Sequence, residues 1–277
     1  MEDFEVTVAS RTVSKAEALV AGRERGSALE LNAKNEDALS RLIADHDLAV
    51  SLLPATEHAK VARMCLELGK HMSTTSYISD AMMALDADVK AAGLTFINEC
   101  GVDPGIDHMS AMRVIHAAEA NGGKVVAFRS YCGGLPAPED NNNPIGYKFS
   151  WAPRGVLVAA TSAARHQKDG EIVEVPGSEL FSGPEIVEVP GAGTFEGYPN
   201  RNSLPYLETY GLKDAHTMFR GTLRNPGHCE AWYPWVQLGL FDQSPRSDLD
   251  GLTYKRFMQG FVDGAGEVKK ALASKLG

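Results

Sequence analysis

Over its first hundred residues the chain alternates short apolar runs with helical stretches, and few folds accept that pattern. "FEVTVA" (residues 4–9) precedes "VSKAEALVAGRE", "SALELN" precedes "EDALSRLIADH", and "DLAVSLLP" precedes "HAKVARMCLELG". "KHMSTTSY" then precedes "SDAMMALDADVKAAG", and "LTFINE" closes the series. Strands that alternate with crossover helices across short links form a parallel sheet, the doubly wound α/β class. The strands are near-continuous apolar runs, as expected when both sheet faces are covered.

After Glu99 the character changes. "CGVDPGID" is a Gly/Pro loop and "DHMSAMRVIHAAEANGG" a helix closed by glycines. From Lys124 the pattern is α+β: "KVVAFRSYC", "GYKFSW" and "MFRGTLR" read as strands, "GVLVAATSAARHQ" and "CEAWYPWVQLGLF" as helices. "EIVEVPG" occurs at 171–177 and again at 185–191. Two copies cannot stack a core of their own, so they read as two edge strands forming a local hairpin. The expected domains are residues 1–122, residues 123–249 and a polar, helix-prone tail over 250–277.

A chain of 277 residues accommodates two ordinary domains. Its net charge of −9 argues against nucleic-acid or anionic-membrane partners, which need a basic face. No apolar run approaches the ~20 residues that span a bilayer. The acidic start (Glu2, Asp3, Glu5) carries no basic leader, and Cys65, Cys100, Cys132 and Cys229 are scattered. Both features predict a reducing, cytoplasmic location. With no C-x-x-C pair and no H-E-x-x-H, no metal is expected.

Ligands of doubly wound sheets sit beyond the carboxyl ends of the strands. "VTVASRT" ends in Ser10, Arg11 and Thr12, with no acid. An arginine at this point can take the 2′-phosphate of NADP, whereas a carboxylate would select NAD. The competing reading is a surface arginine with Ser10 or Ser14 as a helix cap. "SLLPATEH" lies where a nicotinamide cofactor's ribose passes, or is strand-to-helix punctuation with Thr56 as cap, and "STTSY" on its own reads better as an N-cap cluster for the next helix. "NECGVDPGIDHM" is a built loop: Gly101 and Gly105 allow close backbone approach, Asp103 is a candidate acid/base group, and Asp107 a candidate cap. Cys132 falls at a strand end.

"VASRT", "SLLP", "TTSYIS", "NECGVDPGIDHM", "SYCGGLPAPEDNNNPIGYKFSW", "YPNRNS" and "FRGTLR" together resemble the saccharopine reductases, the NADP-dependent, L-glutamate-forming saccharopine dehydrogenase family, in order and spacing. The resemblance implies an oxidoreductase of lysine metabolism. It condenses L-glutamate with 2-aminoadipate 6-semialdehyde and reduces the imine to saccharopine. It also implies a Rossmann-like NADP(H)-binding domain, an α+β substrate domain and a homodimer. Ser10, Arg11 and Thr12 would hold the 2′-phosphate. Leu53, Pro54, Thr75, Ser76, Val102, Asp103 and Pro104 would line the cofactor. Ser76, Tyr77, Asp103, Arg201, Thr222 and Arg224 would touch saccharopine, the arginines pairing with its carboxylates. Asp103 and Tyr77 would modulate proton transfer at the amine, with Cys132 as their polar neighbour.

One element of the family pattern is missing. No G-x-G-x-x-G stands between the first strand and first helix. "FEVTVA" is therefore expected to be the second strand of the order 3-2-1-4-5-6, leaving strands two and four without the neighbour between them. The chain reads as truncated at both ends. Two alternatives stay open: a catalytically silent paralogue or scaffold, and an imine-reducing relative acting in polyamine synthesis.

Overall fold

The computed structural model describes residues 4–150, 152–262 and 267–276. The chain divides into two compact units, Met1–Ser110 and Ala111–Gly277, so the division falls twelve residues before the boundary expected at 122 and the tail joins the second unit.

The first unit runs β1 (Val6–Ser10), α1 (Val13–Val20), β2 (Gly26–Glu30), α2 (Glu36–Ala44), β3 (Leu48–Ser51), α3 (His58–Glu67), β4 (His71–Thr74), α4 (Asp80–Met83), α5 (Asp86–Ala91) and β5 (Phe96–Ile97). Helix α6 (Ile106–Ala120) spans the division. Local chemistry sets these elements. Helix α2 starts where the Asn35 side chain accepts from the Ala38 N–H, with Glu36 and Asp37 in the first turn. Its Leu39 and Ile43, four residues apart on one face, pack with Val61, Ala62 and Cys65 of α3 and Met72 of β4. Each such burial is worth about 1.5–3 kcal/mol for a large side chain. It also holds the Cys65 thiol up at about 11.

The sheet is split. β1 pairs in parallel with β2, and β3, β4 and β5 pair in parallel in that order, but β1 and β3 do not pair. Between them lies an open groove of about 480 Å³, lined by Val8, Ala9, Leu39, Ile43, Val50 and Leu53 among others. Val6 donates to the Arg25 carbonyl and Leu31 to that of Ser10, so alternate residues of β1 serve β2. The backbone groups of Thr7 and Ala9 therefore face the groove. His46 Nε2 meets the Thr7 hydroxyl at 2.8 Å, which brings the starts of β1 and β3 to one end. Leu48, Val50 and Leu52 are 50%, 59% and 74% exposed, against the rule for inner strands. The order β2-β1-groove-β3-β4-β5 is the expected 3-2-1-4-5-6 without its first strand.

The second unit contains β6 (Ala127–Cys132), α7 (Pro153–Ala160), β7 (Ala164–Lys168), β8 (Glu171–Val175), β9 (Glu185–Val189), β10 (Gly193–Pro199), α8 (Tyr206–Thr209), β11 (Thr217–Arg224), α9 (His228–Gln237), α10 (Tyr254–Gln259) and α11 (Val268–Leu276). Its sheet runs β8-β7-β11-β10-β9, with β6 parallel to β11 and the remaining pairs antiparallel. Tyr147, Phe181, Tyr198, Trp232 and Phe241 form its main core.

Three expectations are corrected here. The two EIVEV strands do lie at edges, but at opposite ones: β8 hairpins with β7 and β9 with β10, not with each other. "GVLVAATSAARHQ" is not one helix. The Thr161 and Ser162 hydroxyls take the carbonyls of Leu157 and Val158, the helix stops, and Ala164 begins a strand. "GYKFSW" forms no strand over its described residues 146–150; Asn143 Nδ2 occupies the Tyr147 carbonyl, and the ring is buried in the core. Trp151, Gly264 and Gly266 lie outside the described residues.

Candidate active site

In the first unit, the polar residues sit on three loops at the carboxyl ends of strands. At the end of β1, the Ser10 hydroxyl accepts from the Thr12 N–H at 3.2 Å. Thr12 is the N-cap residue of α1 but makes no side-chain cap bond. Arg11 is exposed, and no carboxylate pairs with it among the described residues. Its charge and the two hydroxyls suit a phosphate.

At the end of β3, Leu53 is half-buried and Pro54 opens a 3-10 turn, Ala55–Glu57. His58 follows, and sequence reasoning gave it no role. Its Nδ1 lies 2.9 Å from the Ser51 hydroxyl, and its Nε2 lies 2.9 Å from both the Thr74 and the Ser76 hydroxyls. Ser51, His58 and Thr74 are buried, and burial lowers the imidazole pKa, so it is held neutral. The network ties the ends of β3 and β4 together beneath Thr75 and Ser76. The signal available in the sequence was a hydroxyl at each strand end, Ser51 and Thr74, inside otherwise apolar runs.

The third loop is "NECGVDPGID". The Gly101 N–H donates to the Pro104 carbonyl at 2.8 Å, and the Ile106 N–H to that of Gly101 at 2.9 Å. A Cβ on Gly105 would lie 2.1 Å from the Gly101 carbonyl oxygen, so only glycine closes this turn. Asp107 sits inside the first turn of α6 rather than capping it from outside, and accepts from the Gly105 N–H. The result presents Asp103 to Tyr77, whose hydroxyl donates to Asp103 Oδ1 at 2.6 Å. Val102 is exposed and Pro104 buried. Sequence reasoning named this acid–phenol pair but could not see its contact.

In the second unit, Cys132 ends β6 in register with Thr222 of β11, and Thr222 is in register with Tyr198 of β10. Burial pushes the Tyr198 phenol up to about 12, so it stays protonated. Arg201 is exposed on a left-handed residue (φ 52°), and its carbonyl accepts from the Arg165 N–H. Arg224 is buried. Its guanidinium lies over the Tyr147 ring at 4.8 Å, and Nη1 donates to the Leu223 carbonyl. Its Nε is buried without a partner, and no carboxylate pairs with it among the described residues. A buried guanidinium in that state is costly unless an anion joins it. The nearby carboxylate, Glu196, is already committed to the N–H groups of Gly227 and Cys229 at the start of α9.

No described group of three or more His, Cys, Asp or Glu is arranged to hold a metal ion, and no described helix is long and apolar enough to cross a membrane.

Known proteins resemble this chain along its whole length. The family description "Saccharopine dehydrogenase NADP binding domain" matches residues 1–97, and "Saccharopine dehydrogenase C-terminal domain" matches residues 101–276. A saccharopine dehydrogenase [NADP(+), L-glutamate-forming] of Schizosaccharomyces pombe is 43% identical over 88% of this chain and 54% of its own length. The Pyricularia oryzae protein of the same name is 41% identical over 99% and 61%. The apo structure of saccharopine dehydrogenase (L-Glu forming) from Saccharomyces cerevisiae superposes with a TM-score of 0.81 at 35% identity, covering 100% of this chain and 62% of that one. The chain thus spans between 54% and 62% of the length of these relatives. With both family descriptions matched in tandem, the chain belongs to the saccharopine dehydrogenase family.

Proposed function

We propose that this chain carries the machinery of an NADP(H)-dependent saccharopine reductase, joining L-glutamate to 2-aminoadipate 6-semialdehyde through an imine. Arg224 carries the reading: a buried guanidinium with no anionic partner among the described residues of its unit suits a substrate rich in carboxylates. Arg201, in the same unit, is assigned a second carboxylate, and Thr222 a hydrogen bond to the ligand. In the first unit, Ser76 and Tyr77 are assigned to saccharopine. Ser10, Arg11 and Thr12 are assigned to the cofactor 2′-phosphate. Leu53, Pro54, Thr75, Ser76, Val102, Asp103 and Pro104 are assigned to its remaining contacts.

The nicotinamide, when bound, supplies the hydride that reduces the imine carbon. The protein's part is to orient and to manage protons. Forming the imine expels water from a carbinolamine, and the secondary amine ends with one more proton. The Tyr77 hydroxyl, held by Asp103 at 2.6 Å, is the proton-bearing group we place at that nitrogen. Cys132 contributes a polar contact.

The test is saccharopine-dependent reduction of NADP+ by this chain, with calorimetric binding of saccharopine. Turnover with NADP+ well above that with NAD+ is expected. A chain that binds no saccharopine refutes the proposal.

The groove between β1 and β3 favours a second reading, a form that binds substrate but turns over poorly. No described residues form the glycine turn that cradles a pyrophosphate. Each lost backbone bond to that group is worth about 1 kcal/mol or more. NADPH affinity should then fall by orders of magnitude, and micromolar binding by the 277-residue chain rules this out.

A further inference from the structure

Glu99 stands out in the first unit by its backbone. It is one of three described non-glycine residues in the left-handed region, with φ 62°. Side-chain-bearing residues hold that conformation only where their surroundings over-determine it. Three bonds do so here. The Glu99 N–H donates to the Ser76 carbonyl at 3.2 Å. Its Oε1 accepts from the Ile78 N–H at 3.0 Å, and its Oε2 meets His108 Nε2 at 2.8 Å.

These partners have a meaning in sequence. Ser76 and Ile78 flank Tyr77, so one residue grips the chain on both sides of the phenol. The left-handed turn is what lets the N–H and the carboxylate of a single residue reach the same loop. A simple ion pair with His108 would need only Oε2 and would not explain the backbone. The adjoining loop is equally tight: Cys100 donates to the Thr74 carbonyl, and a Cβ on Gly101 would meet the Thr75 carbonyl at 3.2 Å. His108 in turn faces Asp107 at 3.6 Å, whose carboxylate closes the Asp103 loop.

We propose that Glu99 is a positioning residue that fixes Tyr77 against Asp103. It touches neither reacting atom. The inference builds on the assignment of Tyr77 and Asp103 to the amine, but its structural core stands without it.

Glu99→Gly separates the two roles a residue here can have. Glycine suits φ 62° and keeps the bond to Ser76, so the melting temperature should hold or rise above that of Glu99→Ala. The grip on Ile78 is lost. Tyrosine labelled with ¹³C at Cζ reports the consequence, the Tyr77 signal being assigned by Tyr77→Phe. In the otherwise native chain Asp103→Asn should move that signal. In the Glu99→Gly background the same replacement should move it by only a small fraction of that amount. Glu99→Gln keeps an acceptor for Ile78 and should restore the response. With saccharopine as substrate, Glu99→Gly should lower kcat on the order of tenfold or more while KM changes little. An undiminished response to Asp103→Asn in Glu99→Gly overturns the proposal. A chain that shows the predicted loss of response but never binds saccharopine leaves Glu99 in its role and refutes the reductase reading instead.

Discussion

The imidazole of His58 lies 2.9 Å from the Ser76 hydroxyl and equally close to that of Thr74, while its other nitrogen holds Ser51. One side chain thus satisfies three hydroxyls at the ends of two strands. Replacing it with leucine leaves two of them buried and without that partner. His58→Leu should destabilise the chain by about 2–4 kcal/mol, at the cost expected for unmet buried polar groups. Urea unfolding measures the loss. Ser76 is released at the same time, so NADPH and saccharopine affinities should fall with it.

Three imidazoles, His58, His166 and His228, have pKa values lowered by burial, that of His228 to about 4. All three are neutral in the folded chain near neutrality and take up protons at 6.5 once unfolded. Their contribution to stability is therefore complete above pH 6.5 and is lost as pH falls through their lowered pKa values, about 4 for His228. His228 alone accounts for about 3 kcal/mol of that decline. Urea midpoints should drop steeply between about pH 6.5 and about pH 4, and His228→Asn should flatten the slope.

Arg224 predicts a trade between stability and binding. Replacing an unpaired buried charge with an apolar side chain of similar length is neutral or stabilising. Arg224→Met should hold or raise the melting temperature. Saccharopine affinity, read by calorimetry, should weaken at least tenfold, or about 1.4 kcal/mol. Loss of both together would mean that the guanidinium is structural.

The groove beside β3 leaves a sheet edge and apolar side chains in water, an invitation to aggregate. Val50 is 59% exposed on that edge. Val50→Lys should therefore cut aggregation, followed by light scattering at rising concentration. Its effect on stability, read by urea unfolding, should stay within about 0.5 kcal/mol, as for other exposed positions.

The parallel sheet was legible because its strands are short apolar runs at regular spacing, and even the gap beside β1 could be read from the absent glycine turn. Partners were harder. Two identical EIVEV segments carry identical local preferences, and nothing in them says that one hairpins backward and the other forward. "AARHQ" follows a good helix without an apolar break, and only the hydroxyls of Thr161 and Ser162 end it. Asp103 and Tyr77 were found as residues because they sit in recognisable loops. His58 and Glu99 were not, because their roles arise from atoms that meet only after β3, β4 and β5 are in place.

The two EIVEV edges have a consequence for the molecule among its copies. A sheet closed at both ends by the same pentapeptide could add copy to copy, a head-to-tail contact that never closes on itself. Each edge, however, carries two glutamates, Glu171 and Glu174 on one and Glu185 and Glu188 on the other. Two of the four are paired, Glu174 with Arg165 and Glu185 with Arg129, so each edge presents charged side chains rather than a bare apolar ladder. The repeat that looks like an opening for fibre growth thus carries its own gatekeepers, charged side chains along each edge.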